Sequence, residues 1–226
     1  LPSARAMVSP RGWAYALAAC ALMERAGLGA VNARDHAPPF ARDCVRSLAG
    51  ELRDRLTDCY RRESGPGWRW FEPVMTYSNG LLPWALFEAY TAFGGRDTLF
   101  AARDTFGFLS ERMAAPGGAI RPIGNRGWCT RERAARWDQQ PVEAFKLALA
   151  AEAGFRATGE REYREIAFAC REWFHGRNDC GVPLVDPADG SCCDGLTPDG
   201  PNENRGAEST IAWLLTEAIV RRLADA

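Results

Sequence analysis

The sequence predicts an all-α fold: an α/α toroid of antiparallel helix pairs, shortened or incomplete, with seven or eight main helices. Three observations carry this expectation. Long segments repeat their apolar residues at the helical period. Two central helix pairs resemble each other at an offset of 64 residues, the pattern of stacked repeats. Only two short pieces have strand character, Ile120-Arg121-Pro122-Ile123 and Val182-Pro183-Leu184-Val185.

Residues 11–26 are rich in Ala and Leu and run to Gly27 and Gly29, a helix stop. Residues 38–62 open at Pro38-Pro39 and place Phe40, Cys44, Leu48, Leu52, Leu56, Cys59 and Tyr60 on one stripe. Residues 80–93 and 97–113 form one pair, joined by Gly94-Gly95-Arg96-Asp97. Residues 141–157 and 160–175 form the next, joined by Thr158-Gly159. In the repeat, Gly95-Arg96-Asp97 aligns with Gly159-Glu160-Arg161, and Phe106 and Leu109 align with Cys170 and Trp173. A last helix runs from Ala207 to Leu223. No linker or low-complexity stretch interrupts the chain, so residues 1–226 are expected to form a single domain.

At 226 residues the chain is long enough to bury roughly 70% of its extended surface. The net charge is −1, which gives no basic footprint for nucleic acid. No apolar run reaches the roughly 18–20 residues of a membrane span, and no leader pattern of charged, apolar and small residues is visible. The eight cysteines are scattered, and several fall on helical core positions. Free buried thiols in a reducing, cytoplasmic setting are the expectation. No cofactor is expected.

Three loops rich in Trp, Gly, acid and amide run into Ala/Leu-rich helices. The first spans Trp68-Arg69-Trp70-Phe71-Glu72-Pro73 through Tyr77-Ser78-Asn79. The second is Trp137-Asp138-Gln139-Gln140-Pro141. The third runs from Asp194-Gly195-Leu196 through Asn202-Glu203-Asn204-Arg205-Gly206-Ala207-Glu208. Carboxylates, carboxamides and indole faces are the groups that hold and cleave sugars. Stacked helix pairs would open the three loops onto one rim.

Within these loops, Glu72 follows three aromatic residues, whose rings would desolvate it and suit it to general acid work. Asp138 is either an N-cap ahead of Pro141 or a second catalytic carboxylate. Glu143, five residues on, points less clearly to the site. Trp70, Tyr77, Trp128 and Trp137 offer ring faces, while Asn79, Gln139, Gln140, Asn202, Glu203, Asn204 and Glu208 offer hydroxyl-binding groups. The expected ligand is an oligosaccharide or polysaccharide.

Two other chemistries find less support in the sequence. Cys129, His175, Cys180, Cys192 and Cys193 have zinc-ligand types, and Gly127-Trp128-Cys129 with Phe174-His175-Gly176 faintly resembles the lanthionine cyclases. Phe174 stands where a cyclase has Cys, and no CxxC pair exists, so no metal site is expected. Two histidines and no nucleophile elbow leave Ser/His/Asp catalysis without support.

From Trp68 to the last helix, about two-thirds of the chain, the sequence resembles an uncharacterised bacterial α/α-toroid family labelled as glycosyltransferase or found beside glycosyltransferases. The matching stretches are Trp70-Phe71-Glu72, Pro122-Ile123-Gly124-Asn125-Arg126-Gly127-Trp128, Asp138-Gln139-Gln140-Pro141-Val142-Glu143-Ala144, Gly176-Arg177-Asn178-Asp179 and Asn202-Glu203-Asn204 with Gly206-Ala207-Glu208-Ser209-Thr210. The resemblance implies the architecture of six-hairpin glycosidases, and a glycosyltransferase as a possible partner. The family reads Tyr-Asp-Asn where this chain has Tyr77-Ser78-Asn79. A non-catalytic sugar-binding or scaffold domain is therefore the alternative to a glycoside hydrolase.

Overall fold

The structure, a computed structural model, describes residues 2–27 and 40–226, with side chains from 3 and from 42 onward in these two stretches. Pro38-Pro39, Gly29 and His36 lie outside the described residues, as does the Phe40 side chain. Eight helices form among the described residues: α1 (Pro2–Arg5), α2 (Pro10–Arg25), α3 (Phe40–Glu63), α4 (Leu81–Phe93), α5 (Arg96–Arg112), α6 (Pro141–Thr158), α7 (Arg161–Phe174) and α8 (Ala207–Ala224). All but the short α1 were expected, and the all-α class is the one the sequence predicts.

The strand expectation needs correction. The ladders are β1 (Ala114–Ala115) against β2 (Ala119–Ile120) and β3 (Leu196–Thr197) against β4 (Gly200–Pro201), both antiparallel. Of the two expected pieces, Ile120 lies in a strand and Val185 makes a single bridge to Cys192. Pro122 and Pro183 lack the N–H that a ladder would need at those places.

The chain forms two compact units. The first comprises Leu1–Glu72 and Leu81–Thr105; the second comprises Pro73–Gly80 and Phe106–Ala226. Helix α5 therefore begins in the first and ends in the second.

In the first unit, α2 packs against α3 and α4. The Ser9 hydroxyl caps α2 by accepting from the Gly12 N–H at 3.1 Å, and Pro10 occupies the first turn. Ala14, Leu17, Ala18 and Ala21 of α2 are buried, as are Leu48, Leu52 and Leu56 of α3. The expected α3 stripe holds there, with Cys44 and Tyr60 only half-buried. Helix α4 buries an unbroken run from Ala85 to Ala89 as well as Leu81 and Leu82. A helix apolar on so many sides packs chiefly against α2, not against its sequence neighbour α5. Its one buried acid, Glu88, accepts from Arg25 Nη1 at 2.6 Å.

In the second unit, α6 lies against α7 and α8, and α7 also touches α8. Gly159 ends α6 with φ 73°, and Gly95, its partner in the repeat, has φ 106°. The helix-ending counterpart of Gly159 is Gly94, with φ 73° and its N–H bonded to the Tyr90 carbonyl as that of Gly159 is to Phe155; Gly95 follows it and leads into α5. Tyr163, Ala167, Cys170, Trp173 and Phe174 form the buried face of α7. Phe174 packs edge-on to Trp173 and at a tilt to Trp213, at centroid distances of 5.1 and 5.5 Å. All eight cysteines are free and six are buried. Among the described residues, no helix is long and apolar enough to cross a membrane.

The packing of α6 on α7 depends on Gly154, where an added Cβ would collide with the Tyr163 ring. Gly154→Ala is expected to lower stability by about 1–3 kcal/mol, although alanine is the better helix former. Equilibrium urea unfolding reads the change, and an unchanged or raised midpoint would contradict this packing.

Candidate functional site

The second unit brings parts of all three loops together. Residues 73–80 attach in two ways. Met75 and Cys129 exchange backbone hydrogen bonds of 2.8 and 3.1 Å. The Glu143 carboxylate, in the first turn of α6, then gathers the tip of the loop. It accepts from the backbone N–H of Ser78, from the Asn79 N–H at 3.2 Å and from Asn79 Nδ2 at 2.9 Å. Asn79 Nδ2 also donates to the Thr76 carbonyl at 2.8 Å. Ser78 has φ 51°, a left-handed conformation that these bonds hold in place. Gly80 follows directly against the Lys146 carbonyl, leaving no room for a Cβ. Glu143 is 1% exposed. A carboxylate at that depth needs several donors, and three amides plus the helix N-terminus supply them.

The second loop folds back on the strip before it. Arg126 N–H donates to the Trp137 carbonyl at 2.8 Å and Asn125 N–H to the Asp138 carbonyl at 3.0 Å. Gly124 is required here, because a Cβ would strike the Trp137 backbone. Ala135 N–H donates to the Trp128 carbonyl at 2.7 Å, and Trp128 has φ 58°. Gln140, not Asp138, is the N-cap of α6, with Pro141 in the first turn. Asp138 is thereby released from the capping role that its place before Pro141 allows. Its Oδ2 accepts from Arg126 Nε at 3.1 Å. Its Oδ1 is buried and has no hydrogen-bond partner among the described residues. The side chain remains 26% exposed.

The second and third loops are joined by backbone. Gln139 and Leu196 exchange hydrogen bonds of 3.0 and 2.8 Å, and Gly195 passes so close that a Cβ would lie 2.8 Å from the Gln139 carbonyl oxygen. The Gln139 side chain is buried and fully engaged. Its Nε2 donates to Asp179 Oδ2 at 2.7 Å, and its Oε1 accepts from the Trp173 indole at 3.0 Å. Asp179 is the centre of this network. Arg121 donates to both its oxygens at 2.6 and 2.7 Å, and Arg136 adds a bond of 3.1 Å. Burial opposes its charge, but the bonds from Arg121, Arg136 and Gln139 prevail and hold the carboxyl at about 2.

The third loop is fixed by Asp194. Ser209 Oγ and Gly206 N–H each donate to its Oδ1 at 2.7 Å, and Asn204 Nδ2 donates to its Oδ2. Ser209, Gly206 and Asn204 hold its carboxyl below the usual carboxylate range against the effect of burial. Asn202 Oδ1 accepts from the Asn204 N–H at 2.9 Å. Asn202, Glu203, Asn204 and Glu208 are exposed.

The predicted residues therefore divide. Asp138, Trp128, Trp137 and Gln140 remain part-exposed on linked loops, and Tyr77 is exposed. Arg136 lies over the Trp137 ring at 5.0 Å and occupies one of its faces. Asn79 and Gln139 are fully buried and support the loops instead of facing a ligand. Trp70 is also fully buried, edge-on to Phe71 at 5.2 Å, so its ring has no face for stacking on a sugar. Glu72 lies in the first unit. Its neighbour is Arg11, whose Nη1 donates to Oε2 at 2.8 Å, while the Trp68 indole reaches the Glu72 backbone carbonyl instead. This corrects the expectation of a carboxyl enclosed by rings. Sequence reasoning missed Arg126 and Asp179 and underrated Glu143. The only hint was that all three fall within the stretches that match the resembled family.

Among the described residues, no group of three or more His, Cys, Asp or Glu side chains is arranged to hold a metal ion. A hollow of about 630 Å³ in the second unit is lined by Arg161, Arg164, Phe168, Glu172 and Arg177, among others, and by none of the predicted site residues.

No protein-family model and no curated protein matches this chain. Solved structures do. One is a glycoside hydrolase family 76 mannosidase from Bacteroides thetaiotaomicron, with TM-score 0.63 and 11% identity over 96% of this chain and 56% of its own. Another is a family 76 α-mannanase from the same organism, with TM-score 0.60 and 12% identity over 95% of this chain and 54% of its own. The chain thus spans about half the length of the structures it matches. At this identity the likeness shows the fold, a glycoside hydrolase-like arrangement of helices.

Two outcomes follow from the geometry. Glu143→Ala, which strands three donors, is expected to lower stability by at least about 2 kcal/mol, as read by denaturant unfolding. Asp179 has a folded value below that of the unfolded chain. Its contribution, about 2 kcal/mol, is full above roughly pH 4 and is lost as pH falls toward about 2. Asp179→Asn should be less stable at neutral pH and flatter in that window; an unchanged acid limb would contradict the network.

Proposed function

We propose that this chain is a carbohydrate-active, glycoside hydrolase-like protein acting on an oligosaccharide or polysaccharide. The observation that carries the reading is Asp138. One oxygen is fixed by Arg126, and the other is buried without a partner, on a loop pinned by backbone bonds on both sides. Leaving a carboxylate oxygen unsatisfied is unfavourable, so a ligand hydroxyl or water admitted at this part-exposed side chain would gain a hydrogen bond there. Trp128 and Trp137 would supply ring faces beside it, with Gln140, Asn202, Glu203, Asn204 and Glu208 as polar contacts.

In this reading Asp138 is the base or second carboxylate of a glycoside hydrolysis. The family 76 likeness makes α-mannan oligosaccharides the first substrates to try. A second reading, a non-catalytic sugar-binding domain serving a glycosyltransferase, is favoured by Ser78. It replaces the Asp of the resembled family, and it is buried with its N–H committed to Glu143.

Incubation with labelled oligosaccharides separates the two. Hydrolysis is expected, with Asp138→Asn lowering kcat by at least about 10²-fold. Intact ligand retained by the wild type, with no product, would replace hydrolysis by binding. Full activity in Asp138→Asn would remove the assignment altogether.

A further inference from the structure

A cavity of about 470 Å³ in the first unit is lined by Arg69, Arg96, Leu99, Phe100, Arg103 and Asp104. Residues 96, 99, 100, 103 and 104 fall on one face of α5 by helical spacing, with Arg69 opposite, from the Trp68–Phe71 loop. Charges on an exposed helix are ordinarily just solvated. Three features set this face apart. Three arginines and a single carboxylate line the same hollow. That carboxylate is tethered: Asp104 accepts from Tyr60 Oη at 2.6 Å and from Arg69 Nη1 at 3.0 Å, so Arg69 is held in orientation from behind. Finally, Phe100 is 62% exposed at the middle of the positive field, an apolar ring where solvation alone would favour a polar residue. The cavity also opens on the first turns of α5, whose amide dipoles add to the positive potential.

We propose that this cavity is a binding site for an anionic saccharide, one that carries carboxylate or phosphate groups. The C–H face of a sugar ring would lie on Phe100, and its anionic groups would reach Arg96 and Arg103 to either side, with Arg69 below. Guanidinium pairs with carboxylate or phosphate in a planar, two-pronged geometry, which a solvated patch does not require. The sugar part of the ligand rests on the carbohydrate reading above; the anionic part rests on this cavity alone.

Titration calorimetry on the full chain tests it with three probes: an oligogalacturonate, a neutral manno-oligosaccharide and inorganic phosphate. The variants are Phe100→Ala and the double variant Arg96→Ala/Arg103→Ala, checked for folding by circular dichroism, and Asp138→Asn. The oligogalacturonate is expected to bind, to weaken at least about tenfold in both cavity variants, and to be unaffected by Asp138→Asn. Its affinity should also fall with salt. Three results would overturn the site: no oligogalacturonate binding, binding indifferent to the cavity variants, or phosphate binding equally well with no dependence on Phe100. A neutral oligosaccharide that fails to bind anywhere counts against the proposed function and leaves the anionic result standing by itself.

Discussion

The second unit depends on one buried carboxylate. Asp179 sits only 8% exposed and draws Arg121, Arg136 and Gln139 onto its two oxygens. Burying a charge at that depth is unfavourable unless its lone pairs are occupied, so the four bonds are mutually obligatory. Gln139 passes the constraint on. Its side-chain Oε1 accepts from the Trp173 indole at the end of α7, and its backbone pairs with Leu196 of the third loop. The residue before it is Asp138. The candidate carboxylate is therefore placed by its neighbour's contacts and by the Asn125 N–H on its own carbonyl, while among the described residues its side chain hydrogen-bonds to Arg126 alone. Glu143 does the equivalent work for the Ser78-Asn79 turn, and Asp194 for the start of α8. Three buried or part-buried acids hold three loops.

This arrangement explains what could be read in the sequence. The helices were legible because each buries a periodic face: Leu48, Leu52 and Leu56 on α3, and Tyr163, Ala167, Cys170 and Trp173 on α7. The expected repeat of helix pairs holds less well, since α6 packs on α7 whereas α4 packs chiefly on α2. The chain-wide amide and acid pattern of the three loops was also visible. Roles within the loops were not. Gln139 and Asn79 look like sugar-binding amides in sequence, yet both are spent on buried carboxylates. Trp70 looks like a stacking face and is core. Asp138 looks like a cap, but the cap is Gln140. A polar residue's role is set by partners distant in sequence, here 40 residues from Gln139 to Asp179 and 65 from Ser78 to Glu143, and no local pattern encodes that pairing.

Fold and function stand on different footings. The likeness to family 76 structures covers nearly all of this chain but only about half of theirs, and few residues are shared. Function must therefore be argued from the site. The site's distinctive property is an unsatisfied acid oxygen on a rigidly pinned loop, beside Arg126 and next to Trp137. Preorganised groups of this kind can bind a ligand without reordering.

The most direct measurement is a ¹⁵N NMR titration of the 24.9 kDa chain with a panel of oligosaccharides, following the indole N–H of Trp128 and Trp137 and the side-chain Nε of Arg126. If Asp138 centres a sugar site, those three resonances shift together and saturably, and Asp138→Asn abolishes their response. A panel that leaves all three unmoved, or moves them identically in Asp138→Asn, would contradict the account.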